Sequence, residues 1–193
     1  MWRNGRRCGL KLRWGNPCGF ESRHPHQAYG RIAVHTPFWT TDPDTLCDEI
    51  VDRAQYNAAF AIASDEDLIW LLGLDKRLDE AEAFGRDVIA HSGPRFQTLL
   101  HLARVLILKQ AYVEAANFQA RALLQARTVD EQTTALHSIG LRLFHEGQIA
   151  DALVSFEESR ALILESAGST SLAELSTLAI NRCQQLIVAS NQS

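Results

Sequence analysis

Three short segments of this 193-residue chain repeat one another in register: Arg77-Leu78-Asp79-Glu80-Ala81, Ala111-Tyr112-Val113-Glu114-Ala115 and Gln148-Ile149-Ala150-Asp151-Ala152. Their alanines are spaced 34 and 37 residues apart, the longer interval falling where Arg127–Asp130 extends a turn. No proline occurs after Pro94, and Ala, Leu, Glu, Gln and Arg dominate from there on, a composition that favours helix. A repeat of this length holds two helices, and two helices alone cannot bury their apolar faces. Successive pairs must therefore stack. With no alternating strand pattern in view, the fold class is predicted to be all-α.

Capping residues divide the helical stretch. Asp44 opens an amphipathic run to Ala63, with Leu46, Ile50, Val51 and Ala54 on one face. Ser64 with Asp67, Thr128 with Glu131 and Ser171 with Glu174 carry the capping-box spacing. Asp79 starts a helix that stops near Gly93, and Pro94 suits the first turn of its successor. Further helices are predicted from Phe96 to Lys109, Tyr112 to Arg127, 130 to 145, Ile149 to Glu165 and 172 to 188. Residues 1–43 are predicted to be a leader and linker, with Phe38 and Trp39 able to pack back on the first helix. Residues 44–190 form the folded unit.

Residues 64–167 resemble three tetratricopeptide repeats, with 44–63 and 172–188 as flanking helices. Ala103 and Gly140 stand where that family places a small residue in the first helix of a repeat, and Leu72, Leu106 and Leu143 supply its large apolar residue one turn later. Gly147 precedes a second helix. Ala81, Ala115 and Ala152 stand at the close crossing, followed by Ala122 and Phe156. The first repeat departs from the pattern: Ile69 takes the small position and Gly85 the aromatic one, so its helix pair is expected to cross more loosely. The resemblance implies a right-handed α-solenoid whose first helices line a concave groove that holds partner peptides. Carried onto this chain, the groove residues are Glu66 and Trp70, Gln97 and Arg104, and His137, Leu141 and His145. Trp70 beside Arg104 would pair an apolar anchor with a charged fork, as binding hot spots do. The alternative, Trp70 packed inward between repeats, stays open. Arg104 is the only cation at these positions, which argues against the basic clamp that holds chaperone C-termini.

Charge is uneven. Residues 1–27 carry a net +5 and the remainder −9, within a total of −4. A basic arm on an acidic body commonly signals nucleic acid. The leader, however, resembles an in-frame translation of a tRNA-leucine gene. Gly19-Phe20-Glu21-Ser22-Arg23 can be written GGG TTC GAG TCC CGC, which holds a T-loop TTCGA, and Cys8 to Arg13 can be written as an anticodon stem and loop presenting CAA. His24 to Gln27 can encode an acceptor strand ending in CCA. Residues 1–27 are therefore expected to be neither folded nor functional, with Val34, Leu46 and Val51 as candidate starts. Cys8, Cys18, His24 and His26 lack the close cysteine pair of a structural zinc site. With the basic arm set aside, no nucleic-acid partner is expected, because the acidic body would repel phosphate.

Enzyme motifs are missing. No Gly-rich phosphate loop, His-Glu-x-x-His, Cys-x-x-Cys or Gly-x-Ser-x-Gly occurs. Asp79, Glu80, Glu114 and Asp151 lie in first turns, where they favour the helix dipole. Cys47 and Cys183 read as reduced thiols on separate helices. His101, His137 and His145 read as surface histidines rather than a metal or pH-sensing cluster. No apolar run approaches the roughly 18 residues of a membrane span. The reading is thus a non-catalytic, cytoplasmic protein-interaction module without metal or cofactor, binding an unidentified protein or peptide, with self-association left open. A regulatory or sensor helical-repeat domain is the alternative.

Overall fold

The computed structural model describes residues 38–166 and 169–192. Expectations about residues 1–37, including the tRNA-like leader and its cysteines and histidines, lie outside the described residues. The described chain is mostly helical, in agreement with the all-α reading. Its helices are α1 (Arg53–Ile62), α2 (Asp65–Leu74), α3 (Leu78–Ser92), α4 (Phe96–Leu108), α5 (Tyr112–Gln125), α6 (Val129–His145), α7 (Ile149–Ser166) and α8 (Thr170–Ser190). None of them is long and apolar enough to cross a membrane.

An antiparallel hairpin precedes the helices, which the sequence reading did not anticipate. Strand β1 (Trp39–Thr41) pairs with β2 (Asp48–Ile50) in the register Trp39 to Ile50 and Thr41 to Asp48. The helix expected from Asp44 begins instead at Arg53, capped by Asp52, whose carboxylate accepts from the Gln55 amide at 3.0 Å. Pro43 disfavours helix at the residue before it. The Asp42 carboxylate also takes the amides of Asp44 at 2.7 Å and Thr45 at 3.2 Å, so amides that would open a helix are held in a turn. Leu46, Ile50 and Val51, read as one helical face, divide accordingly: Leu46 is buried, Ile50 half-buried and Val51 exposed. Phe38 does pack back, its ring 6.1 Å from Tyr56 of α1.

Three helix pairs follow, joined by turns with one hydrogen-bond pattern. Lys76, Gln110 and Gly147 each take a positive φ, of 61°, 61° and 84°. The next amide in each turn donates five residues back: Arg77 to Leu72, Ala111 to Leu106 and Gln148 to Leu143, each at 2.9 Å. The positive-φ residues donate three residues back, to Gly73, Ile107 and Phe144. These are three Schellman stops. Five residues beyond each left-handed residue stands Ala81, Ala115 or Ala152, the fourth residue of its helix and fully buried. The caps also match at Ser64 and at Thr128, where both halves of the capping box form. At the last helix the cap is Ser169 rather than Ser171.

The expected loose crossing in the first pair is not found. A Cβ on Gly85 would lie 3.3 Å from Leu102 and 3.4 Å from Ile69. In the third pair a Cβ on Gly140 would lie 2.6 Å from the Phe156 ring. Ile69 with Gly85 and Gly140 with Phe156 occupy the same two repeat positions with large and small exchanged. The space a usual aromatic would fill at 85 is taken by Ile69, which is completely buried. Close packing constrains summed volume, so the crossing stays dense. At these positions the second pair holds Ala103 and Gln119, and Gln119 is buried with its amide donating to the Ser138 carbonyl at 2.6 Å.

Helices α2, α4 and α6 pack side by side, with α8 against α6 and α7. Leu99, Leu102, Leu106, Ala115, Phe118 and Ala122 form the central core. Lys109 meets Asp79 and Glu82, and Arg86 meets Glu82 and Glu114, in one network over α3 to α5. The acidic first-turn residues Asp79 and Glu114 thus pair with cations besides facing a helix N-terminus.

Candidate functional site

Every first helix sends side chains toward the face on which the hairpin lies. Trp39, Leu46 and Asp48 of the hairpin meet Trp70 of α2, Arg104 of α4, His137 and Leu141 of α6, and Ala179 of α8 around one small cavity. Leu46 is the anchor. It is 1% exposed and packs in a cluster with Leu141, Phe156, Ala179, Ile180 and Cys183. Its φ of 54° is left-handed, a conformation costing a β-carbon residue about 1–2 kcal/mol. Burying its side chain contributes roughly 1.5–3 kcal/mol, enough to hold that backbone. At the other end, Trp39 stacks edge-on to Trp70 with centroids 5.7 Å apart, and Phe38 lies 6.0 Å from the same indole.

Cations hold the tip of the hairpin. Arg104 Nη2 donates to the Leu46 carbonyl at 2.8 Å and stands 3.5 Å from Asp48 Oδ2. Arg182 Nε donates to the Asp44 carbonyl at 3.0 Å, and its Nη1 lies 3.2 Å from the Asp44 carboxylate. Lys76 Nζ reaches the Asp48 carbonyl at 3.5 Å. Thr41 Oγ1 donates to Asp48 Oδ1 at 2.8 Å, tying the two strands.

Neutral imidazoles line the floor. His137 Nδ1 pairs with Ser176 Oγ at 3.0 Å, and His101 Nδ1 with the Glu66 carbonyl at 2.7 Å. Burial, and after it the Arg104 charge, pushes His137 down to about 3; the same two causes with Lys76 push His145 down to about 4. Burial also lowers His101, against the raising effect of its bond to Glu66. His145 Nε2 and Arg104 Nη1 are buried without a hydrogen-bond partner among the described residues. Among these residues no group of three metal-ligating side chains comes together.

The predicted groove residues divide into two sets. Trp70, Arg104, His137 and Leu141 converge under the hairpin. Trp70, whose exposure the sequence left open, is half-buried and Arg104 is only 9% exposed, because the hairpin lies on them. His101 and His137 are buried rather than on the surface. His145 sits at the end of α6, its carbonyl accepting from Tyr112 Oη at 2.8 Å. Glu66 serves the α2–α4 contact, where Arg95 Nη1 approaches it at 3.3 Å. Gln97 is half-buried in the first turn of α4. Sequence reasoning missed Arg182, Lys76 and the segment Asp44 to Asp48. The signal available was the string Asp-x-Leu-x-Asp beside two prolines. Cys47 belongs to the hairpin rather than to a helix, while Cys183 is buried and its thiol pushed up to about 11.

No family model, no curated protein and no solved structure matches this chain.

Proposed function

We propose that the chain is a non-catalytic protein-interaction module of the tetratricopeptide type, a right-handed α-solenoid that binds a peptide or protein segment across α2, α4, α6 and α8. One observation carries this reading. That face already holds a piece of polypeptide, the hairpin of residues 38–50, through contacts of the kind a peptide receptor uses: an aromatic contact at Trp70, a buried leucine and a captured main-chain carbonyl at Arg104. The three equivalent turns and the three buried alanines support the repeat assignment. The non-catalytic reading is supported by the buried histidines, since His101 and His137 each spend a ring nitrogen on a neighbouring helix.

Selection of a displayed-peptide library on the full chain, and in parallel on a Leu46→Ser chain, tests the reading. Enriched peptides are expected to bind at least about tenfold more weakly to a Trp70→Ala, Arg104→Ala chain that keeps its helical circular dichroism. Substitution of Leu124, exposed on α5, should leave binding unchanged. No enrichment, or binding indifferent to Trp70 and Arg104, would overturn the proposal. A regulatory or sensor domain is the second reading, favoured by the covered state of the face. Small-molecule ligands that raise the melting temperature of the intact chain would support it.

A further inference from the structure

We infer that residues 42–48 are a replaceable occupant of this face, and that the partner which displaces them is an acidic segment centred on an apolar anchor, of the form Asp-x-Leu-x-Asp. The inference rests on the interaction-module reading and adds the chemistry of its ligand. The occupant itself carries the motif: Asp44-Thr45-Leu46-Cys47-Asp48. Arg182 takes the first aspartate, Arg104 the leucine carbonyl and the edge of the second aspartate, and Lys76 the carbonyl of that second aspartate. Three cations therefore face five consecutive residues, in a body otherwise rich in acids. Like-charged segments would be repelled from such a strip and acidic ones drawn to it.

The hairpin fills the seat imperfectly. Asp48 accepts from Thr41 at Oδ1 within the hairpin, and its Oδ2 comes no closer to Arg104 Nη2 than 3.5 Å. Arg104 Nη1 is buried with no acceptor among the described residues, though a guanidinium can grip a carboxylate with two parallel bonds. Leu46 reaches its pocket only by taking a left-handed backbone. A segment free of the hairpin turn can set the same leucine with an ordinary backbone and deliver a carboxylate squarely to Arg104. Release of the tip need not disturb the base of the hairpin. The strands are three residues long, and the base is held on its own, with the Val51 and Asp52 amides donating to the Phe38 carbonyl at 2.9 and 3.2 Å and Phe38 packed on Tyr56, so the tip can leave while the base stays.

The probe is a fluorescein-labelled peptide of residues 39–50 with serine for the cysteine, followed by anisotropy. The full chain carrying Leu46→Ser and Asp44→Asn is expected to bind it at least about tenfold more tightly than the unaltered chain, because the cis competitor is weakened. A peptide with Asp48→Asn should bind at least about tenfold more weakly, and Arg104→Gln in the weakened chain should erase that difference. A folded, cooperatively melting variant that ignores the peptide, or prefers the amide version, would overturn the inference. So would a dimer of the unaltered chain that the peptide dissolves, which would assign the seat to a second copy's hairpin. Should the variant fail to fold, hydrogen exchange on the unaltered chain decides. Amides of residues 42–48 are expected to exchange at least about a hundredfold faster than those of α4. Equal protection would mean that the hairpin opens only with global unfolding, and the inference would fail. If the peptides selected above depend on the groove but are not acidic, the ligand chemistry falls while the interaction-module reading stands.

Discussion

At the scale of single residues, three left-handed positions end the three first helices of the repeats, and only Gly147 is a glycine. Lys76 and Gln110 hold the same geometry with a β-carbon, at a steric cost glycine does not bear. Gln110→Gly is expected to raise stability by about 0.5–1 kcal/mol in a denaturant melt. Gly147→Ala, with no neighbour within 4 Å to obstruct it, should lower stability by about 1 kcal/mol through backbone strain alone. A Gln110→Gly chain no more stable than the unaltered one, or a Gly147→Ala chain no less stable, would refute the equivalence of the turns. The glycine at 147 was legible as a stop. Positive φ at Lys76 and Gln110 was not, because neither side chain advertises a left-handed backbone.

Among the elements, the helix crossings depend on small residues that are interchangeable between partners only if total volume is kept. Gly140→Ala puts a methyl against the fully buried Phe156 ring, which α8 and α6 prevent from yielding. A loss of about 1–3 kcal/mol is expected from thermal or urea melts. Ala115→Phe should cost a similar amount at the second crossing, where the alanine has no exposed surface. An unchanged melting temperature in either variant would show that the crossing was misplaced. Helix positions and phases were readable because period and caps are local signals. The compensation between Ile69 and Gly85 was not, since it links side chains sixteen residues apart through a packed interface. The hairpin escaped notice for a related reason. Its strands are three residues each, too short for alternation to register, and Leu46, Ile50 and Val51 also fit a helical spacing.

The molecule as a whole buries titratable rings where an acid could charge them. His137 and His145 have folded-state values near 3 and 4, below the unfolded value of 6.5. Between those limits the unfolded chain binds protons that the folded chain refuses, so stability is lost as pH falls below about 6.5. Each fully buried ring contributes about 1.4 kcal/mol per pH unit across that window, and His145, partly open, contributes less. Urea melts should therefore show roughly 1–3 kcal/mol less stability at pH 5 than at pH 7, and His137→Gln should reduce the difference. Equal stability at the two pH values would mean that His137 is not held neutral. Since Arg104 adds to the shift of both rings, charging them would also press on the cation that holds Leu46. The hairpin should loosen before the helices do.

Sequence alone determined the mostly helical fold, because helical spacing and capping residues each act over one or two turns of chain. It also marked Trp70, Arg104, His137 and Leu141 as residues of one face. What it left undecided was the occupant of that face. Residues 38–50 reach Arg104 and Arg182 across 58 and 138 positions of sequence, and no periodicity spans such distances. Only the folded arrangement, which brings four helices beneath one short hairpin, decides that this face is covered and which charges meet there.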